Sequence, residues 1–487
     1  MQAIKIKIQL LNRIKILSIF VMLFGSRGFA QENNPNFRPP NVVLILADDL
    51  GYGDLSCYGQ KYFQTPNIDA LAASGMRFTQ HYAGAPVCAP SRCALLTGKN
   101  TGHATIRGNK KANKYGDYPI SVTDTTLAQL FKEKGYATGI FGKWGLGVPN
   151  SSGDIIKKGF DVFFGYYGQL AAHNYYPEML WSNNQQVPIS ENKRYRNTIY
   201  APMMIQDSII QFIDRNKHQP FFLFVPTIIP HAELVPPDTL LTENIGKFGQ
   251  ERPYKGIKTM NFATRFGAYG VQKNPKAAFA TMIELLDKQV GEIVTKLKQE
   301  GIYDNTIIIF TSDNGAHKEG GAQPDYFNSD ANFRGYKRDV YEGGIRVPLI
   351  VHWANKIQAG KSDIISANWD LLPTLSEIIK VRPPEKIDGI SLLPTLLHSA
   401  QQQQHPYLYW EFHEQGGRQA VRMGKWKGIK LNVQHPLKTR FELYDLENDP
   451  SEKIDVSSKF PEIVEELKNI LQQAHVPSKI FPFKRMD

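Results

Sequence analysis

A chain of 487 residues, 42% hydrophobic and 21% charged, has the composition of a folded globular protein, with room for two to four domains at roughly 100–200 residues each. Three cysteines exclude a disulfide framework and a multi-cysteine zinc module. The formal net charge of +11 invites a nucleic-acid partner, but five of the 57 Lys and Arg crowd into residues 1–30, which hold no acidic residue.

Of those five, Lys5, Lys7, Arg13 and Arg27 flank an apolar run from Ile14 to Phe24, which is broken only by Lys15 and Ser18, and Gly28-Phe29-Ala30 precedes a polar stretch. This is the layout of a secretory signal peptide, predicted to be cleaved near Ala30. The protein is therefore expected to be exported, periplasmic or secreted. The apolar run is short for a membrane span, and no integral membrane segment is expected in the mature chain. Without residues 1–30, 52 basic residues face 46 acidic ones, a mild excess that calls for no nucleic acid but suits a polyanionic ligand.

Residues 31–40 read as a linker. The run NVVLILA (41–47) reads as a buried strand ending on Asp48-Asp49. Thr65-Pro66 opens a helix, with Thr65 as N-cap, and Gly75 closes it. A second helix covers Thr125–Lys134, and YATGIFGKWG follows as a short strand. PFFLFVPTIIPH (220–231) is an apolar run ending on His231. An amphipathic helix over 276–300 carries Phe279, Ile283, Leu286, Val290, Ile293 and Leu297 on one face, and leads into TIIIFTSDNG (306–315). Helices alternating with continuous apolar strands predict an α/β fold, a large mostly parallel or mixed sheet between helices. Ligands of such folds sit at the carboxyl ends of the strands, where Asp48, Asp49, His231, Asp313 and Asn314 all fall. A composition shift near Val381–Pro384 divides a catalytic domain (41–382) from a smaller C-terminal α+β subdomain (383–487). Its segments 416–431 and 440–450 read as antiparallel strands and 461–474 as a closing helix.

The most informative segment is Cys88-Ala89-Pro90-Ser91-Arg92-Cys93-Ala94-Leu95-Leu96-Thr97-Gly98. A thiol stands at a Pro-Ser helix start with Arg92 one turn in, a place that favours an anion. A lone Cys-x-Pro is ordinarily a buried structural cysteine. The whole string, however, matches C-x-P-S-R-x-x-x-L-T-G and resembles the formylglycine-dependent sulfatases, of the alkaline-phosphatase-like superfamily. The resemblance extends over nearly all of the mature chain and is strongest toward secreted bacterial carbohydrate sulfatases.

The resemblance implies that Cys88 is converted after translation to formylglycine (3-oxoalanine), whose hydrate is a geminal diol, by a formylglycine-generating maturation enzyme. It implies Asp48, Asp49, Asp313 and Asn314 as metal ligands together with residue 88. An all-oxygen set suits a hard divalent cation, and calcium is expected, one per chain. Arg92, Lys143 and Lys337 match positions that surround the sulfate with fixed positive charge, and His231 matches the histidine beside the leaving oxygen. The implied reaction is a double displacement: the diol attacks sulfur, the alcohol leaves protonated by His231 with Lys337 nearby, and sulfate is then expelled. The substrate implied is a sulfated carbohydrate, a galactose or N-acetylhexosamine unit. Substrate contacts are expected from His173 and Asn174, within the aromatic stretch 165–181, and from His317 and Arg334.

One position departs from the family. The usual string G-K-W-H-L-G reads Gly142-Lys143-Trp144-Gly145-Leu146-Gly147 here, so the histidine that contacts the diol is absent. His317 is one candidate to replace it. Two other readings compete: a phosphomonoester or phosphonate-ester hydrolase on the same scaffold, and an inactive glycan-binding homologue with Gly145 as its first lesion. The first would have Ser or Thr as nucleophile and more histidine ligands than CAPSR and DNG provide.

Overall fold

The chain builds its main sheet from β1 (Asn41–Ala47), β2 (Met76–Phe78), β3 (Ala137–Lys143), β4 (Val162–Tyr166), β5 (Met179–Ser182), β6 (Gln185–Pro188), β7 (Phe221–Pro226), β8 (Thr306–Ser312), β9 (Leu349–Trp353) and β10 (Gly360–Ser362). This computed structural model describes residues 38–113, 115–256, 269–483 and 487; the segment read as a signal peptide lies outside them. The strand order is β10-β2-β9-β8-β1-β7-β3-β4-β5-β6. From β8 through β4 neighbouring strands pair in parallel, and antiparallel strands flank them. The sheet is thus mixed, with a parallel centre.

The centre is parallel because its strands are apolar on both faces. Along β1, Val43 and Ile45 enter one core with Leu223, Val225, Ile308 and Phe310. Val42, Leu44 and Leu46 enter the opposite core with Phe222, Phe224, Ile307 and Ile309. The helices are α1 (Pro66–Ser74), α2 (Cys88–Thr97), α3 (Leu127–Glu133), α4 (Ala201–Asn216), α5 (Pro275–Gln299), α6 (Leu371–Ile378) and α7 (Pro461–Ala474), with shorter ones between. Helices α1, α4 and α5 cover the first face through Ile68, Ile209, Phe279, Ile283 and Leu286. Helices α2, α3 and α6 cover the second through Leu95, Phe131 and Leu375.

Thr65 precedes α1 as expected, but its hydroxyl caps nothing there. It donates to Asp69 Oδ1 at 3.0 Å and accepts from Ser56 N. The free N–H groups of α1 go instead to Asp287 of α5, whose oxygens accept from Asn67 N at 3.2 Å and Ile68 N at 2.8 Å. The cap comes from 220 residues away, which no local pattern reveals.

The C-terminal region is an antiparallel sheet, β11 (Leu408–Phe412), β12 (Arg418–Met423), β13 (Trp426–Leu431) and β14 (Arg440–Asp445), in sequence order. One face packs on α7 through Tyr409, Val421, Leu443, Leu467 and Leu471. The other buries Trp410, Phe412 and Ile429 against Tyr82, Val340 and Trp369 of the larger layer. Residues Pro40–Asp487 together form one compact unit.

Candidate active site

The carboxyl ends of β1, β3 and β8, the loop after β7 and the start of α2 meet in one buried place. β1 ends on Asp48 and Asp49, both fully buried. Successive residues of a strand point to opposite faces. Asp49 leaves that alternation through a left-handed backbone, φ 64°, uncommon for a residue with a side chain, which lets both carboxylates serve one site. Asp48, Asp49, Cys88 and His231 each bring a ligating atom to within 4.8 Å of the others.

Cys88 opens α2, a helix buried along its whole length, and its Sγ lies 3.5 Å from Asp48 Oδ1. Burial pushes the Cys88 thiol far up, so an unmodified cysteine here is a protonated, unreactive thiol. Cys57 and Cys93 are both free. One turn into α2, Arg92 Nε and Nη2 donate to Asp313 Oδ2 at 3.1 and 2.8 Å, and Nη1 donates to the Lys143 carbonyl at 2.8 Å. Lys143, the last residue of β3, reaches Asp48 Oδ2 at 2.7 Å. Burial alone would discharge this lysine, but Asp48 and its neighbours hold it protonated.

On the far side Lys337 Nζ lies 2.8 Å from Asp49 Oδ2, 3.0 Å from His231 Nε2 and 3.3 Å from Glu319 Oε2. His231 Nδ1 is pinned by the Ala232 carbonyl. Burial and the Lys337 charge hold His231 well below the usual histidine range, so it is neutral, with Nδ1 donating and Nε2 accepting from Lys337. Tyr175 supports this loop by donating to the carbonyls of Ile228 and His231 at 2.6 and 2.7 Å.

The site suits a hard cation on its own evidence. Asp48, Asp49 and Asp313 crowd together, and burial with the charge of Asp48 pushes the Asp313 carboxyl up. A cation between them would relieve that repulsion. Asn314 Nδ2 donates to Asp49 Oδ1 at 2.7 Å, leaving its Oδ1 buried without a hydrogen-bond partner among the described residues. An orphaned buried amide oxygen beside three carboxylates is a ligand set for a hard cation.

The expected substrate contacts separate. His173 is stacked on His231, with ring centroids 4.5 Å apart, so it borders the site, and its Nδ1 has no hydrogen-bond partner among the described residues. Asn174 turns inward: its Oδ1 accepts from Tyr176 N at 3.0 Å and its carbonyl from Tyr166. Tyr166, Tyr167 and Tyr175 of the same aromatic stretch are core residues. His317 is fixed by Pro230 O at 3.3 Å and Glu319 N at 3.1 Å, on the Asp49–Glu319 side of the cluster. Arg334 is engaged elsewhere. It lies over the Tyr341 ring and donates to Tyr444 Oη and the Glu452 carbonyl, clamping the C-terminal sheet.

Sequence reasoning missed Glu319 and Tyr269. Glu319 binds Lys337 and Arg338, whose charges hold it ionised against the opposing effect of burial. Tyr269 Oη donates to Glu319 Oε2 at 2.7 Å and its ring leans on His173. The one available signal was adjacency, since Glu319 lies two residues past His317.

With this geometry in view, comparison with known proteins is direct. The sulfatase family model matches residues 40–381, and the model of the C-terminal region of N-sulphoglucosamine sulphohydrolase matches 333–476. The chain belongs to the sulfatase family and is a sulfatase by class. It is 30% identical to N-acetylgalactosamine-6-O-sulfatase of Bacteroides thetaiotaomicron, over 94% of this chain and 98% of that one. It is 29% identical to human arylsulfatase A, over 89% and 87% of the two chains. Among solved structures, Ps i-CgsB in complex with k-i-k-neocarrahexaose superposes with a TM-score of 0.72 at 28% identity, covering 90% of this chain and 93% of that chain.

Proposed function

We propose that this protein hydrolyses a sulfate monoester of a sulfated carbohydrate, with residue 88 matured to formylglycine and Asp48, Asp49, Asp313 and Asn314 holding a divalent cation, calcium. The observation that carries the reading is the convergence of Cys88 with three carboxylates, an orphaned amide oxygen and three buried cations in one site. The carbohydrate class rests on the similar N-acetylgalactosamine-6-O-sulfatase and on the similar structure bound to a neocarrahexaose.

Formylglycine supplies a hydrated aldehyde as nucleophile, and the cation supplies charge that favours its ionisation and polarises the sulfate. The protein's own groups do the rest. Arg92 orients Asp313 and ties it to the end of β3. Lys143 and Lys337 present fixed positive charge to a group that is anionic throughout. The His231–Lys337 couple holds the proton that the departing alcohol needs, because Nδ1 of His231 is committed to Ala232 and only Nε2 faces Lys337. The N-terminal composition supports export, and maturation requires a formylglycine-generating enzyme as partner.

The test is mass spectrometry of the tryptic peptide carrying residue 88, paired with sulfate release from defined sulfated mono- and oligosaccharides. Formylglycine at 88 and turnover that is lost on chelation and restored by calcium are expected. An unmodified thiol from a host with competent maturation machinery would refute the reading, as would matured protein that releases no sulfate.

A further inference from the structure

The space beside Gly145 is occupied. A Cβ placed on Gly145 would lie 1.9 Å from Gln169 Nε2 and 2.9 Å from its carboxamide carbon. Gly145 also has φ 76°, a conformation that side-chain-bearing residues avoid. Backbone and neighbour together exclude a side chain at 145, and Gln169 fills the place it would enter.

Gln169 is 5% exposed, yet neither its Nε2 nor its Oε1 has a hydrogen-bond partner among the described residues. A buried polar group left unpaired is costly, and folded proteins satisfy nearly all of them. The residue is also held in place. Gln169 N donates to Asp117 Oδ2 at 2.7 Å, while Trp144 N and Gly145 N donate to the carbonyls of Tyr166 and Tyr167, both at 2.9 Å. The turn carrying Gln169 is thereby stitched to the chain just past Lys143. Lys143 in turn reaches Asp48, the carboxylate that meets Cys88. Gln169 therefore flanks the Lys143 side of the site with an anchored backbone and a free carboxamide.

We propose that the Gln169 carboxamide is a sulfate-binding group of this site, taking the hydrogen-bonding post that a side chain at position 145 would hold. A carboxamide offers N–H donors to anionic oxygens and does not ionise at ordinary pH. It orients the sulfate and does not act as a base. The inference rests on the sulfatase reading of residue 88, and its test separates the two.

Inorganic sulfate is titrated calorimetrically into calcium-loaded Cys88→Ser protein, with and without Gln169→Leu, so that binding is read without turnover. Gln169→Leu is expected to weaken sulfate about tenfold or more, the loss of one hydrogen bond to a charged group. In matured enzyme kcat/KM should fall by a similar factor, with formylglycine content and melting temperature unchanged. Equal sulfate affinity in parent and variant overturns the role of Gln169 alone. A parent that binds no sulfate overturns both readings. If Gln169→Leu does not fold, Gln169→Glu decides. Weak binding at pH 8 that recovers on acidification supports the proposal, and parental affinity at every pH overturns it.

Discussion

At position 92 the site needs a guanidinium and not merely a positive charge. One planar fork meets Asp313 through two nitrogens while the third holds the Lys143 carbonyl, so the ends of β3 and β8 are tied by a single side chain. An ammonium is a point donor on a flexible stem and cannot make both contacts in that geometry. Arg92→Lys keeps the charge and is expected to lower kcat/KM about 10²-fold, because misplacement by about 1 Å costs that much at a reacting centre. The check is steady-state kinetics on protein with equal formylglycine content; activity within twofold of the parent would show that charge alone suffices. The same scale shows what a motif conveys. Cys88, Arg92, Asp48, Asp49, Lys143, Asp313, Asn314, His231 and Lys337 stand inside recognisable strings, and all sit in the one cluster. Gln169, Glu319 and Tyr269 are single polar residues in loops, and only three-dimensional closeness gives them meaning.

Elements were legible wherever burial was two-sided or strictly periodic. β1, β7 and β8 are continuous apolar runs because helices cover both faces of the sheet, and α5 shows its stripe toward its C-terminal end, where Val290, Ile293 and Leu297 mark one buried face, while Pro275–Ile283 is buried all round. The aromatic stretch 165–181 was ambiguous because core packing and sugar stacking use the same residues. In the fold most of its tyrosines are core, with the Tyr166 and Tyr175 hydroxyls spent on backbone carbonyls and that of Tyr167 on the Asn184 side chain. α1 starts where the sequence places it, after Thr65 as N-cap residue, but another side chain does the capping. Its first N–H groups are satisfied by Asp287 from α5, so the cap is a tertiary contact and invisible to local sequence. Asp287→Ala should therefore cost more than an exposed cap, about 2 kcal/mol, since it strands buried N–H groups on a neighbouring helix. Hydrogen exchange should show lost protection over residues 66–74 with the central strands unaffected; unchanged protection there would assign the capping to another group.

The two layers of the molecule are joined by buried charge as well as by apolar contact. Lys427 of β13 lies 2.9 Å from Glu342 and 3.0 Å from Glu452, and all three are fully buried. Glu342 belongs to the segment just after Lys337, and its N–H donates to Glu452 at 2.6 Å. The catalytic loop and the C-terminal sheet are thus one electrostatic unit, which accords with a C-terminal family model that begins at residue 333, well inside the catalytic layer. Two carboxylates share one lysine and cannot both ionise freely. Burial opposes ionisation of Glu342, but Lys427 overcomes it and holds that carboxyl below the ordinary range. Burial and the charge of Glu342 push Glu452 above it. A carboxyl that binds its proton more tightly folded than unfolded loses stability as pH rises above its unfolded value, 4.5, toward neutrality. Glu452→Gln cannot ionise and should remove that part of the slope. Urea midpoints followed by tryptophan fluorescence between pH 5 and 8 should therefore fall less steeply in Glu452→Gln than in the parent. Carboxylates of the active site titrate in both proteins and cancel in the difference. Parallel slopes would place the proton elsewhere in the cluster, while removing the cation instead, as in Lys427→Met, should cost about 3–5 kcal/mol, because Glu452 loses its ion-pair partner in the interior while Glu342 keeps Arg346.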